Sequence, residues 1–178
     1  MKKNKKAYRP PLTVSRSALL VDGTDAEFRR FVSRLVLVTD RLRQIRKHFG
    51  WRIGLSGPQY VLLITVAYLQ GTNGITVSAL ARDLRVTSAF VTSESRRLVQ
   101  RGLLAKRPNP EDSRSTLLVL TADGRKCIDA LVPEIRRVND VLFGYVNKAS
   151  FRLAGRFLDQ LANGSAGALS YIRRSRLG

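Results

Sequence analysis

Cysteine and histidine are nearly missing from this sequence: Cys127 and His48 stand alone among 178 residues. One thiol closes no internal disulfide, and a lone histidine leaves no Cys/His cluster, so disulfide scaffolds and structural zinc are both excluded. Long apolar runs are missing as well. The most apolar stretch, Tyr60 to Leu69, is about half the length that a bilayer-spanning helix requires, and it reads as a buried helix. The basic start Lys2-Lys3-Asn4-Lys5-Lys6 is followed by Ala7-Tyr8-Arg9-Pro10-Pro11 rather than by a signal-peptide apolar core, so a cytoplasmic location without a membrane partner is expected. No Walker loop, dinucleotide fingerprint, metal-ligand spacing or nucleophile motif occurs; an enzyme is the third reading, with no catalytic residue, metal or cofactor expected.

Acidic residues are the other scarce class. Only 13 face 32 Lys and Arg, giving a formal net charge of +19. A soluble chain with that excess repels itself unless it meets a polyanion, which points to nucleic acid or an anionic surface. Its length suits one domain or two small intertwined ones.

Residues 1 to 23 read as a basic flexible tail, with Pro10-Pro11 opposing a helix and Asp22-Gly23 marking a turn. Residues 24 to 54 read as a long amphipathic helix and connector. Thr24 is the expected cap, Phe28, Phe31, Leu35, Val38, Leu42, Ile45 and Phe49 form the apolar stripe, and Gly50 is the expected end. Arginines and Lys47 crowd its other faces, which is either a solvated surface or an anion-binding one. Ser56-Gly57-Pro58-Gln59 has the spacing of a capping box for the greasy helix that follows, expected at the centre of the fold.

After a loop at 71–74 and a short Ile75-Thr76-Val77 segment come two helices joined by a tight turn. The first buries Leu80, Ala81 and Leu84. Thr87 caps the second, whose inward stripe is Val91, Ser95 and Leu98 and which ends at Gly102. Residues 103–107 and 115–120 then read as two strands around the turn Pro108 to Arg114, a hairpin wing attached to the helical pair. A helix from Thr121 with Pro133 inside it, expected to bend, and a last helix from about Ser150 to Arg173 complete the chain. The fold class is therefore mainly α with a small β-hairpin wing. The end helices, 24–54 and 122–178, lack intrachain partners long enough to cover their stripes, which argues for a homodimer built by the two ends.

A helix that enters a DNA major groove needs small or hydrogen-bonding side chains in its N-terminal half, so that backbone and short side chains reach bases and phosphates. Thr87, Ser88, Ala89, Thr92 and Ser93 meet that need, and Arg96 and Arg97 are placed to clamp phosphate or read guanine. Serines and threonines at a helix start also serve simply as caps. Glu94 has two readings: an acceptor for cytosine N4, or an intrahelical partner of Arg97 or Arg101. Arg107 and Arg114 flank a projecting turn, where arginine suits the negative potential of a minor groove.

In this order and spacing, Leu55-Ser56-Gly57-Pro58-Gln59-Tyr60, Leu80-Ala81-Arg82-Asp83-Leu84, Leu98-Val99-Gln100-Arg101-Gly102-Leu103, Asp112-Ser113-Arg114 and Leu120-Thr121-Ala122-Asp123-Gly124-Arg125 resemble the winged helix-turn-helix of the MarR family of transcription regulators. The likeness centres on residues 55–121 and extends over roughly 24–173. It implies a homodimer on a pseudo-palindromic operator in double-stranded DNA, associated with the nucleoid, with helix 87–101 in the major groove. It also implies a wing that contacts DNA through Arg107, Ser113 and Arg114 and is braced by Asp112 through an arginine. Glu94 and Ser95 depart from the pattern, since relatives often carry apolar residues there.

The resemblance further implies a repressor released by a small aromatic or phenolic effector, for which Trp51, Arg52 and Tyr60 are the candidate pocket residues; ordinary core or interface packing is the competing reading for Trp51 and Tyr60. Some relatives sense oxidants through a cysteine in the first helix, which this chain lacks. Cys127, next to Arg125 and Lys126, is either a thiol activated by cations or an incidental core residue. His48 reads as a helix C-terminal residue complementing the macrodipole. The functional alternative is an architectural, nucleoid-type protein with little sequence preference.

Overall fold

The structure, a computed structural model, describes residues 8–175. It divides into two compact units, Met1–Leu131 and Val132–Gly178. Lys2, Lys3, Lys5 and Lys6, the most basic part of the expected tail, lie outside the described residues.

The first unit opens on a short 3-10 turn, Ser17–Leu19, and then the helix α1, Ala26–Arg52. Asp22 and Gly23 both adopt positive φ (49° and 71°), and Val21 pairs with Thr24 across them. This is the tight turn that an Asp-Gly pair favours. Thr24 is consequently occupied in that turn and does not cap α1; the cap position falls on Asp25. The Asp25 carboxylate does not cap either. It is buried, accepts both the amide and the hydroxyl of Thr13 at 2.7 Å, and pairs with Arg29 at 2.7 Å. These hydrogen bonds, led by the Thr13 hydroxyl, hold its carboxyl below the usual range. Residues around Thr13, expected to be part of a mobile tail, are therefore tied to the start of α1.

Gly50 does not end α1. It lies buried in the last turn, where an added Cβ would sit 2.8 Å from the Leu55 carbonyl oxygen, so its role is close approach. Gly54, at φ +68°, reverses the chain instead. The helix α2, Gly57–Leu69, starts with the expected capping box: the Gln59 amide donates to the Ser56 hydroxyl and the Ser56 amide to Gln59 Oε1. Tyr60, Leu62, Leu63 and Val66 are buried, whereas Tyr68 and Leu69 at its far end are exposed. The helix is central through most of its length, but not on every side.

Strand β1, Ile75–Thr76, precedes helices α3, Val77–Leu84, and α4, Ser88–Gln100; strands β2, Leu104–Pro108, and β3, Thr116–Leu120, follow. The sheet is antiparallel in the order β1-β3-β2, with Ile75 opposite Leu118 and Ala105 opposite Val119. The expected two-stranded hairpin thus gains a third strand, because two residues ahead of α3 are enough to satisfy the open edge of β3. Four consecutive residues, Leu117 to Leu120, are buried. The side chain of Gln70 joins this arrangement by accepting the Leu120 amide at 2.7 Å.

Helix α5, Ala122–Leu142, continues through Pro133. Its first turn is held by Thr121, whose hydroxyl donates to the Gly102 carbonyl at 2.6 Å and accepts the Gly124 amide at 3.0 Å. Gly124 has no room for a side chain, since a Cβ would stand 2.2 Å from the Leu103 carbonyl oxygen.

The second unit contains the rest of α5 and the helix α6, Lys148–Ser175. That helix begins two residues before the expected Ser150, where the Asn147 side chain accepts the Ser150 amide at 2.9 Å. It runs unbroken through Gly164 and Gly167 and contains no buried residue. Among the described residues no helix is long and apolar enough to cross a membrane.

Candidate nucleic-acid interface

The pair α3–α4 is built around a left-handed residue. Arg85 at φ 53° ends α3, and the Val86 amide returns to the Ala81 carbonyl at 3.0 Å. Thr87 then caps α4 by accepting the Phe90 amide at 3.2 Å. Along α4, Val91, Ser95 and Leu98 are wholly buried, as their spacing requires. The opposite face consists of Ser88, Ala89, Thr92, Ser93 and Arg96, all exposed, at successive spacings of one and three residues. A flat, small-residue surface with an arginine one turn further on is what the major groove accepts. The Thr87 hydroxyl is spent on its cap.

The two unusual residues of α4 find internal partners. The Ser95 hydroxyl donates to the Thr92 carbonyl at 3.2 Å, which allows a polar residue at a fully buried site. Glu94 is only 8% exposed and pairs with Arg97 at 2.8 Å, so it does not reach for cytosine. Arg97 is correspondingly held to its own helix, and Arg96 is the less encumbered of the two cations. Arg101, at the helix end, donates to the Gly54 carbonyl and anchors the C-terminal end of α4 to the α1–α2 connection. Sequence reasoning offered Arg101 only as a partner for Glu94; the acceptor, 47 positions away, carries no local signal.

The wing turn is braced from within. The Asp112 side chain accepts the Arg114 amide at 3.0 Å, the Asp112 carbonyl accepts the Ser115 amide at 3.0 Å, and Asn109 donates to the Ser115 hydroxyl at 2.7 Å. Asp112 thus braces the wing through the backbone of Arg114. Arg107, Ser113 and Arg114 are all exposed around this turn.

The three expected pocket residues differ in burial. Tyr60 is buried against Phe49, with ring centroids 5.7 Å apart, and burial pushes its hydroxyl up to about 12. Trp51 is 71% exposed and leans toward His48, and Arg52 is exposed. Two cavities, of about 530 and 300 Å³, lie at the α5–α6 turn and between β1 and the wing, and none of the three residues lines either. For Cys127, burial raises the thiol and Arg101 opposes it only in part, which is the reverse of an activated thiol.

Comparison with known proteins bears on this geometry. The model described as "MarR family" matches residues 55–116. The HTH-type transcriptional regulator PecS of Dickeya dadantii is 31% identical over 159 residues, covering 87% of this chain and 89% of PecS. The HTH-type transcriptional regulator YdgJ of Bacillus subtilis is 31% identical over 134 residues, 75% of this chain and 82% of its own. Among solved structures, the S. aureus MepR–DNA complex superposes with a TM-score of 0.64 at 16% identity, covering 75% of this chain and 97% of MepR. A MarR protein from Peptoclostridium difficile gives 0.62 at 18%, covering 85% and 95%.

Proposed function

This chain belongs to the MarR family, a family of non-enzymatic, DNA-binding transcriptional regulators, and from that premise we propose that it acts as a homodimer that recognises a pseudo-palindromic operator and represses by occupying it. The observation that carries the proposal is the two-sidedness of α4. Val91, Ser95 and Leu98 seal one face into the lobe, which fixes Ser88, Ala89, Thr92, Ser93 and Arg96 outward as a rigid reading surface beside the braced wing. Ser88, Thr92 and Ser93 meet base edges, Arg96 meets phosphate or guanine, and Arg114 enters the neighbouring minor groove.

The dimer rests on the apolar surface left open in each unit. Phe31 and Val38 of α1 and Phe151 and Leu158 of α6, each pair seven residues apart on one helix face, are exposed, as are Val36 and Leu153 beside them. Two lobes then read half-sites about 34–36 Å apart, and occupancy by itself obstructs polymerase.

The test is binding to the DNA upstream of its own gene against random duplex at fixed, moderate salt. We expect a preference of at least about a thousandfold. Equal competition by random duplex would overturn sequence-specific repression in favour of an architectural role. Within the complex, Arg114→Ala weakens binding and changes minor-groove preference, while Ser88→Ala and Thr92→Ala alter base preference more than salt dependence.

A further inference from the structure

The charge of this protein is not concentrated on its reading surface. Helix α1 carries eight basic residues against two acidic ones, whereas residues 75–120, with both reading elements, carry eight against four. Of the two acids of α1, Asp40 is taken by Arg43 at 3.0 Å and Glu27 stands exposed in the first turn, three residues before Arg30; Asp25, just ahead of the helix, is held by Thr13 and Arg29. Arg30, Arg34 and Arg41 are exposed, and among the described residues none of the three has an ion-pair partner. Their spacing of four and seven places them within roughly 40° of one another around the helix and along about 16 Å of its axis. A length of duplex equal to that row presents on the order of ten phosphate charges.

We propose that this row is a second binding track for duplex DNA, separate from α4 and the wing, so that one protein assembly holds two duplex segments at once. The link between α1 and α4 is made at the C-terminal end of α4, through Arg101 and the Gly54 carbonyl, whereas the reading residues occupy the opposite, N-terminal turns. From Ile53 the row is reached only after about 18 Å of helix. Arginine forks suit phosphate oxygens, and the row requires no sequence. An anionic membrane is the less fitting partner. Phe28, Leu35, Leu42 and Ile45 of the apolar stripe are already half-buried within the chain, and its exposed members Phe31 and Val38 are covered by the second copy in the proposed dimer, so the stripe is not free to enter a bilayer beside the arginines.

The experiment is capture of a fluorescent random duplex onto a surface-tethered random duplex by the full-length protein, so that its outcome does not depend on operator specificity. Wild type should bridge the two. Combined Arg30→Gln, Arg34→Gln and Arg41→Gln should abolish capture, keep binding to the tethered duplex, and reduce the salt slope of total binding by roughly two to three. Combined replacement of the same three by lysine should retain capture, because a phosphate contact requires charge, and far-UV circular dichroism checks that each variant is folded. A lobe variant, Arg96→Gln with Arg114→Gln, should still bind single duplex through α1. The proposal is overturned if wild type captures nothing, if the glutamine variant captures as well as wild type, if the lysine variant also fails, or if the lobe variant binds no duplex. It is equally overturned if the glutamine variant loses binding to anionic vesicles while its DNA capture stays intact.

Discussion

The lobe of residues 57–120 and the helix α6 both display apolar residues at helical spacing, yet the fold treats them in opposite ways. In the lobe, Leu62, Leu63, Val66, Leu80, Val91, Leu98 and Leu118 are all at 0% exposure. In α6, Phe151, Leu153, Leu158 and Leu169 each expose more than half of their surface. An apolar stripe therefore marks a face that must be covered without saying what covers it. In the lobe the cover is the chain itself, and in α6, under the proposed dimer, it is a second copy.

The sharpest way to break the comparison is at Gly124. Because a Cβ there would meet the Leu103 carbonyl oxygen at 2.2 Å, Gly124→Ala should cost more than the ~3 kcal/mol usual for overpacking and should unfold the lobe, read by thermal melting. Leu62→Ala should follow, with a loss of about 2–5 kcal/mol in denaturant unfolding. The matched change in α6, Leu153→Ala with Leu158→Ala, should leave the lobe's cooperative transition in place. Its effect should fall on assembly, shifting sedimentation toward monomer and making unfolding more dependent on protein concentration. A loss of lobe stability as large as that of Leu62→Ala, at protein concentrations where wild type is monomeric, would show that the two stripes are not different in kind.

Titration extends the contrast. Tyr60 ionises at about 12 in the folded chain against 10.0 ordinarily, so the folded state holds its proton more tightly than the unfolded one. Stability tied to this group is complete below the ordinary value and falls as pH rises from about 10 to 12. Tyr60→Phe should flatten that alkaline loss in unfolding measured against pH. Asp25 has the opposite sign. Its lowered value means that stability is present above the ordinary 3.8 and is lost as pH falls below it, a dependence that Asp25→Asn removes. The smallest expected effect is at Arg97. Its pairing with Glu94 makes Arg97→Ala less damaging to DNA affinity than Arg96→Ala in titrations at matched salt.

Local features were legible because their causes are local. The Ser56–Gln59 box, the Thr87 cap, the Asp22-Gly23 turn and the inward stripe of Val91, Ser95 and Leu98 all follow from spacing and side-chain chemistry within a few residues. Thr24 was misassigned as the cap of α1 for the same reason: its competitor is a turn, and Asp25, the actual cap position, is held by Thr13, twelve positions away. The third strand was missed because two residues, Ile75 and Thr76, have no periodicity to detect until Leu117 and Leu118 lie opposite them.

The sequence by itself determined that this chain is cationic, mainly helical and furnished with a small-residue helix beside a basic turn, because charge, period and capping are properties of neighbours along the chain. Tertiary structure decided how those parts are used. It withdrew Glu94 to Arg97, turned Trp51 out and Tyr60 in, set Gly50 and Gly124 against carbonyl oxygens, and left Arg30, Arg34 and Arg41 on an open face. Each of those outcomes depends on which distant backbone arrives beside the residue, and no local pattern encodes that arrival.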